Sequence, residues 1–212
     1  MKAGGQPPDA SRRARLALLA SGGGRSLENL AAAIARGELA AELALVLTDR
    51  PGIGALERCT RLAIETLVLP YQELGGASGF SARAFAELDS RAIDLAVLAG
   101  FLRLIRVPQA WRGRVINIHP SLLPAYGGKG FHGNRVHAAV LAAGERESGC
   151  TVHFVDDQYD HGEPILQRRV PVLPADDVHT LAARVFEAEQ EALPEALRRV
   201  LAQARPPGPR EE

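Results

Sequence analysis

Short, uniformly apolar segments alternate with segments of helical periodicity along most of this chain. The apolar segments predict strands over residues 15–21, 42–50, 65–70, 94–100 and 114–119. Between them, apolar residues at three- and four-residue spacings predict helices over 26–39, 54–64 and 81–92, the last with Ser81 as its N-cap. Strands that are apolar on both faces and are separated by helices are typical of a parallel sheet covered on both sides.

The pattern changes after the fifth predicted strand. A helix is predicted over 136–145, and residues 150–172 read as two strands around a polar turn, an antiparallel hairpin. Residues 177–203 predict a long final helix, with Pro194 placed to kink or split it. The predicted fold class is therefore α/β: a Rossmann-like, mostly parallel, twisted sheet with helices on both faces, followed by a C-terminal antiparallel hairpin and a long helix.

The composition fits one domain. The chain has 212 residues, of which 46% are apolar, and its formal net charge is zero. The balance of charge gives no reason to expect nucleic acid or an anionic membrane as a partner, and two cysteines without a CxxC pair indicate a reducing cytoplasm. We expect a single domain over 14–203, between disordered tails at 1–13 and 204–212 that are rich in proline, glycine and charge.

A glycine-rich loop follows the first predicted strand and opens the first predicted helix. Glycines allow close approach of the backbone to an anion, and a helix N-terminus offers free N–H groups, so Gly22, Gly23, Gly24, Arg25 and Ser26 form a candidate phosphate site. A tight turn with no ligand remains the alternative. The loop lacks the Gly-Lys-Ser/Thr of a P-loop and the third glycine of a dinucleotide fingerprint, so a monophosphate fits it better than a dinucleotide.

The fifth predicted strand ends in polar residues. Residues two apart in a strand project to the same side, so Asn117 and His119 point together while Ile118 faces the other way. They lie at the carboxyl end of a parallel strand, where open α/β sheets place their chemistry. An amide beside an imidazole suits a carbonyl that gains negative charge during a reaction. The alternative is a capping Asn and a buried His with only a packing role.

Three longer motifs share a family resemblance. The segments "LAGFLRLI", "VINIHPSLLPAYGGKG" and "GCTVHFVDDQYDHGEPILQ" resemble the folate-dependent glycinamide ribonucleotide formyltransferases. The resemblance implies a transferase that takes the formyl group of 10-formyltetrahydrofolate, its co-substrate, and uses neither a metal ion nor a covalent intermediate. The acceptor is the amine of glycinamide ribonucleotide, and the reaction is a step of purine biosynthesis in the cytoplasm. A homodimer is left open.

The same resemblance implies roles for individual residues. Asn117, His119 and Asp160 match the catalytic residues, and the Leu123–Pro124 peptide matches a cis bond. The residues expected to bind the substrate phosphate and ribose are Gly22, Gly23, Gly24, Arg25, Ser26, Glu189 and Arg83. The residues expected to contact the folate are Arg103, Leu104, Ile105, Val155, Asp156 and Asp157.

The implied chemistry makes Asn117 and His119 donors to a tetrahedral oxyanion. A nearby carboxylate raises the pKa of an imidazole, so Asp160 is expected to favour the charged, donating form of His119. His153 either lines the pocket or packs in the core. Two other functions remain in view: a different folate-dependent formyl transferase or hydrolase, such as a formyltetrahydrofolate hydrolase, and a non-catalytic nucleotide- or folate-binding module.

Overall fold

The structure is a computed structural model that describes residues 12–204. The predicted tails therefore lie largely outside the described residues, which leave out 1–11 and 205–212. At the first described position, Arg12 donates a hydrogen bond to Asp94 over 2.7 Å, so ordered contacts begin slightly before the predicted domain boundary. Within the described part of the chain, no helix is long and apolar enough to cross a membrane.

Seven strands form a single sheet in the order β3-β2-β1-β4-β5-β6-β7. The first five pair in parallel and the last two are antiparallel, which confirms the predicted mostly parallel sheet with a C-terminal hairpin. The strands are β1 Ala14–Ala20, β2 Ala41–Thr48, β3 Thr66–Val68, β4 Leu95–Ala99, β5 Val115–His119, β6 Glu147–Phe154 and β7 Pro164–Pro171.

Among residues 12–204, five α-helices cover the two faces of the sheet. They are α1 Arg25–Ala35, α2 Gly54–Leu62, α3 Ala77–Ser90, α4 Asn134–Ala142 and α5 Val178–Ala204. Successive residues of β1 point to opposite faces of the sheet and enter separate cores: Leu16 and Leu18 pack with α1, α2, α4 and α5, whereas Ala17 and Leu19 pack with α3. Burial on both sides explains why the inner parallel strands, such as β1 and β4, are largely apolar.

The predicted start of the third helix is wrong. The third helix begins at Ala77, after Gly76, so Ser81 lies inside the helix and does not cap it. Its buried hydroxyl instead accepts a hydrogen bond from the backbone N–H of Arg106 over 2.7 Å, a tertiary contact that sequence spacing does not reveal. The last helix continues through Pro194, so the predicted split does not occur; the flanking Leu193, Ala196 and Leu197 are buried in the core and hold both sides of the proline in place.

The order of the strands creates a crevice at one edge of the sheet. Strands β1 and β4 are neighbours, but the chain leaves β1 towards β2 and leaves β4 towards β5, so their connections diverge. Ligands of open α/β sheets bind at such a point, outside the carboxyl ends of the strands. The two connections are tied together there, because Ser21 donates its N–H to Gly100 and accepts at Oγ from Leu102, each over 3.1 Å.

Candidate active site

A pocket of about 490 Å³ occupies this crevice. Its walls come from the loop after β1, the connection after β4, the end of β5, the segment before α4, the β6–β7 connection and α5. The predicted residues among those that line it are Gly22, Gly23, Gly24, Arg25, Ser26, Arg103, Asn117, His119, Asp160 and Glu189. Segments far apart in sequence therefore meet around one cavity.

Asp160 lies between the two polar residues of β5. Its Oδ1 is 3.2 Å from Asn117 Nδ2 and 3.4 Å from His119 Nδ1, and its side chain is only 11% exposed. Its other oxygen accepts from the backbone N–H of Gly128 over 2.9 Å. The backbone of Asp160 is left-handed, with φ of 53°, a conformation that Asp tolerates better than most residues.

The segment that follows β5 is held against this cluster. The imidazole of His119 donates from Nε2 to the backbone carbonyl of Tyr126 over 2.8 Å. Gly127 packs so closely that a Cβ there would lie 2.5 Å from Leu123 Cδ2 and 3.3 Å from Asp160 Cβ, so a side chain at this position would press on the carboxylate. The Leu123–Pro124 peptide bond is cis, as the resemblance implied.

The pKa of His119 is shifted in the direction opposite to the expected one. Burial lowers the pKa of this imidazole, and that effect outweighs the charge of Asp160 and the hydrogen bond to Tyr126, both of which raise it. For Asp160, burial raises the pKa, but the neighbouring imidazoles of His153 and His119 and the hydrogen bond from the Gly128 N–H together hold it below its usual range. The carboxylate is therefore ionised at neutral pH, while His119 loses its proton more readily than a free imidazole.

The glycine-rich loop turns tightly into α1. Gly24 has φ of 79°, and a Cβ there would lie 2.9 Å from the Cβ of Ala55 at the start of α2, so both its conformation and its surroundings favour glycine. The first turn of α1, which begins at Arg25, lines the pocket. N–H groups in the first turn of a helix have no partners within the helix, which suits this wall to an anion.

Arg25 and the last helix meet across the same wall. The guanidinium of Arg25 lies over the ring of Phe186, 3.9 Å from its centroid, a cation–π contact. One turn further along α5, burial raises the pKa of Glu189 to about 7, although the charge of Arg25 acts in the opposite direction. Phe186 was not predicted as a site residue, and its only signal in the sequence is its helical spacing of three from Glu189.

Arg83 does not reach this pocket. It lies on α3, which packs on the opposite face of the sheet from α1 and α5, and its side chain is 59% exposed and paired with Glu87 over 2.6 Å. The prediction that Arg83 contacts the substrate is therefore wrong for this structure. The residue is one turn from its ion-pair partner on a solvated helix face.

A smaller side pocket of about 40 Å³ shares Arg103, Asn117 and Asp160 with the main one. The predicted folate contacts that line it are Arg103, Leu104, Ile105, Val155 and Asp156. Asp157 does not line either of these two pockets; it accepts from the backbone N–H of Val107 over 3.1 Å and so anchors the loop.

Arg103 is held in place by the buried carboxylate of Asp49. Its Nε donates to Asp49 Oδ2 over 2.7 Å, and its guanidinium carbon lies 5.2 Å from the centre of the Tyr71 ring. The side chain of Asp49 is fully buried at the end of β2. Because only Nε is bound to this carboxylate, the terminal nitrogens of Arg103 are left for the pocket.

Several residues of the pocket were not predicted. The segment before α4 and its first turn contribute Lys129, Phe131, His132, Asn134 and His137. Their one sequence signal is a run of glycines and histidines with no defined spacing. Among residues 12–204, histidines, cysteines and carboxylates form no group of three or more that could hold a metal ion.

Comparisons with known proteins agree with this arrangement. A family model described as formyl transferase matches residues 14–197. A trifunctional purine biosynthetic protein adenosine-3 of Drosophila melanogaster is 43% identical over 191 residues, which are 88% of this chain and 14% of that protein. A chloroplastic phosphoribosylglycinamide formyltransferase of Vigna unguiculata is 39% identical over 183 residues, which are 85% of this chain and 58% of that protein. The structure of glycinamide ribonucleotide transformylase 1 from Geobacillus kaustophilus matches with a TM-score of 0.82 and 38% identity, over 90% of this chain and 100% of that one.

The fold and the pocket define the class of protein. It is a doubly wound α/β protein with a glycine-rich loop suited to an anion and an Asn–His–Asp cluster, both in the crevice where the connections of β1 and β4 diverge. The chain belongs to the formyl transferase family. This confirms the resemblance carried by the three sequence motifs. The chain spans 14% of the Drosophila relative and 58% of the Vigna relative, so it corresponds to part of each of those proteins.

Proposed function

We propose that this chain transfers the formyl group of 10-formyltetrahydrofolate to the amine of 5′-phosphoribosylglycinamide, giving the formylated ribonucleotide and tetrahydrofolate in de novo purine biosynthesis. The observation that carries the proposal is the contact of one carboxylate oxygen of Asp160 with both Asn117 and His119. This contact lies in the wall of a pocket that also contains the glycine-rich loop. The names of the relatives from Vigna and Geobacillus support the same acceptor.

The ribonucleotide occupies the main pocket in this proposal. Its phosphate lies against Gly22–Ser26 and receives N–H groups from the loop and the first turn of α1. Arg25 supplies a positive charge at that wall, and Glu189 accepts from the ribose hydroxyls. The amine then points towards Asn117 and His119.

The folate enters from the other side of the cluster. Arg103, Leu104, Ile105, Val155 and Asp156 line the side pocket, which joins the main pocket at Asn117 and Asp160. With the pterin in that position, the formyl group on N10 would lie at the shared residues, within reach of the amine. The two substrates therefore meet where the two pockets join, which supports direct transfer between them.

The reaction needs hydrogen-bond donors and a route for one proton. Attack of the amine on the formyl carbon makes a tetrahedral oxyanion, which collapses by breaking the bond to N10, and N10 then gains a proton. In the unliganded structure the Asn117 amide lies 3.2 Å from Asp160, and His119 donates from Nε2 to Tyr126. His119 Nδ1 lies 3.4 Å from Asp160 and carries a hydrogen only when the ring is protonated. In this proposal the oxyanion replaces Asp160 as the acceptor for the Asn117 amide and for the Nδ1 hydrogen of protonated His119.

Asp160 provides the proton acceptor. Its carboxylate is ionised at neutral pH and so can take the proton that the attacking amine releases, directly or through a water. It also stabilises a protonated His119, whose low intrinsic basicity in this buried site makes it a good acid towards N10. An amine is already a competent nucleophile, so the proposal requires no covalent intermediate.

We also propose the setting of the reaction. Residues 14–203 act as one catalytic domain on two small molecules, without nucleic acid, in a reducing compartment such as the cytoplasm, where the buried thiols of Cys59 and Cys150 stay free. The proposal includes no metal ion. A homodimer remains to be tested by sedimentation.

One assay tests the proposed function. Purified protein is mixed with 10-formyltetrahydrofolate and glycinamide ribonucleotide, and release of tetrahydrofolate is followed by absorbance. Formation of product only when the ribonucleotide is present supports transfer. Product without the ribonucleotide would indicate a hydrolase instead, and no product with bound ligands would indicate a binding module.

A further inference from the structure

His153 is buried beside the proposed catalytic residues, yet the proposed reaction gives it no role. It lies on β6 directly opposite Asn117 in the antiparallel pairing with β5, and it is 1% exposed. Its Nε2 is 3.0 Å from the amide nitrogen of Asn117, and its Nδ1 is 2.8 Å from the backbone carbonyl of Phe154. Both ring nitrogens therefore have a close polar partner, while the Oδ1 atom of Asp160 lies further from Nε2, at 3.8 Å.

These partners fix the tautomer of His153. A carbonyl oxygen can only accept, so the short contact with Phe154 places the hydrogen on Nδ1. In the neutral ring, Nε2 then carries a lone pair and accepts from Asn117 Nδ2. The pairing of β5 with β6 thus places a hydrogen-bond acceptor, Nε2 of His153, beside the amide nitrogen of Asn117.

The second N–H of the same amide is directed to Asp160. Asn117 Nδ2 lies 3.2 Å from Asp160 Oδ1, so the amide nitrogen faces two acceptors at once. If the amide rotated by half a turn, its oxygen would face a carboxylate oxygen and an imidazole lone pair, which are both repulsive contacts. Once the formyl oxygen replaces Asp160, the lone pair of His153 alone keeps the N–H side of the amide in the pocket.

We propose that His153 is a positioning residue for formyl transfer: through Nε2 it holds the Asn117 amide with a nitrogen-bound hydrogen available to the developing oxyanion. The inference rests on the proposed function for its effect on rate. It distinguishes the two roles that the sequence leaves open for His153, because a residue that only packs in the core would not need an acceptor at Nε2.

Two substitutions separate the acceptor from the bulk of the side chain. His153→Leu keeps an apolar group of similar size but removes the acceptor, whereas His153→Gln can present an amide oxygen near the position of Nε2. We expect Leu to lower kcat by about 100-fold, as loss of one aligned oxyanion donor does, with KM for both substrates within about twofold. Gln should restore most of the loss. Equal losses in both variants would contradict the inference.

A double-mutant cycle with Asn117→Ala tests whether the effect passes through Asn117. With the amide already removed, His153→Leu should change kcat by no more than about twofold. The same 100-fold loss in both backgrounds would mean that His153 acts independently of Asn117, and the inference would be wrong. Ser148→Ala is a matched control, because Ser148 is buried on the same strand and its hydroxyl has no hydrogen-bond partner within residues 12–204.

A spectroscopic measurement keeps this test independent of the activity. In the wild-type protein, the side-chain amide of Asn117, identified by loss of its signal in Asn117→Ala, should exchange slowly with solvent. In His153→Leu the exchange should become faster by about tenfold or more, as expected for a lost buried hydrogen bond. Unchanged exchange would overturn the inference even in an active enzyme. Absence of formyl transfer in the wild type would overturn the proposed function and leave this measurement decisive for His153.

Discussion

The carboxylate of Asp160 and the imidazole of His119 face each other at 3.4 Å, although they come from different segments, a connection between antiparallel strands and the end of a parallel one. Burial alone would favour neutral forms of both groups. The contact works against that tendency, because it raises the pKa of His119 and lowers the pKa of Asp160. The pair thus keeps a negative charge on Asp160 beside an imidazole that can take up a proton and release it again in a largely buried site.

Asp160→Asn should remove the charge but keep the shape. We expect kcat to fall by about 100- to 1,000-fold, because the variant lacks both the proton acceptor and the charge that stabilises protonated His119. KM for the ribonucleotide should change little, since Asp160 does not lie at the phosphate wall. Steady-state kinetics at neutral pH check this. Glu163→Gln, an exposed carboxylate in the same connection, is the control, and near wild-type turnover in Asp160→Asn would contradict the proposed role.

Arg25→Ala should weaken binding of the ribonucleotide rather than the chemical step. A charge-assisted hydrogen bond is worth about 1.5–3 kcal/mol, so KM should rise by about 10- to 100-fold while kcat at saturation stays close to wild type. The KM of Arg25→Lys should lie between those of the wild type and Arg25→Ala, because an ammonium keeps the charge but not the flat contact with Phe186. Arg61→Ala removes an exposed arginine as a control. A fall in kcat with unchanged KM would argue against a phosphate contact.

Glu189 should make folding stability depend on pH near neutrality. Its pKa is about 7 in the folded protein against 4.5 ordinarily, so the folded state binds the proton more tightly than the unfolded state. The stabilisation linked to this proton is complete below pH 4.5 and is lost as the pH rises through about 7. As the pH rises between these values, the free energy of unfolding of Glu189→Gln should therefore increase relative to that of the wild type. Urea titrations at pH 4.5 and 8 measure the difference in free energy of unfolding between variant and wild type. The same difference at both pH values would refute the prediction.

Gly24→Ala should destabilise the protein through strain and a clash together. An alanine at φ of 79° costs about 1–2 kcal/mol, and its Cβ would lie 2.9 Å from Ala55 Cβ. Gly37 has φ of 74° but nothing within 4 Å of its Cβ position, so Gly37→Ala measures the strain alone. The excess loss of unfolding free energy in Gly24→Ala is the cost of the close helix approach. Equal losses in the two variants would show that the contact with α2 is unimportant.

Local patterns in the sequence were sufficient for most of the fold. Apolar runs identified the parallel strands because those strands are buried on both faces, and alternation within β5 placed Asn117 and His119 on one side. The predicted start of α3 was wrong: the helix begins four residues earlier, and the Ser81 hydroxyl accepts from the backbone of Arg106, a contact with a distant segment that local spacing does not reveal. A proline in α5 was compatible with a continuous helix because tertiary packing on both sides of it outweighs the local cost.

The sequence by itself determined the parallel sheet, the glycine turn and the identity of the polar residues at the end of β5, since these follow from periodicity, backbone freedom and strand geometry. Only the tertiary structure decided which distant groups meet. It brings Asp160 to His119, stacks Arg25 on Phe186, places His153 against Asn117 and leaves Arg83 outside the pocket. The physical reason is that burial and pairing depend on contacts between segments, and burial in particular reversed the expected pKa shift of His119.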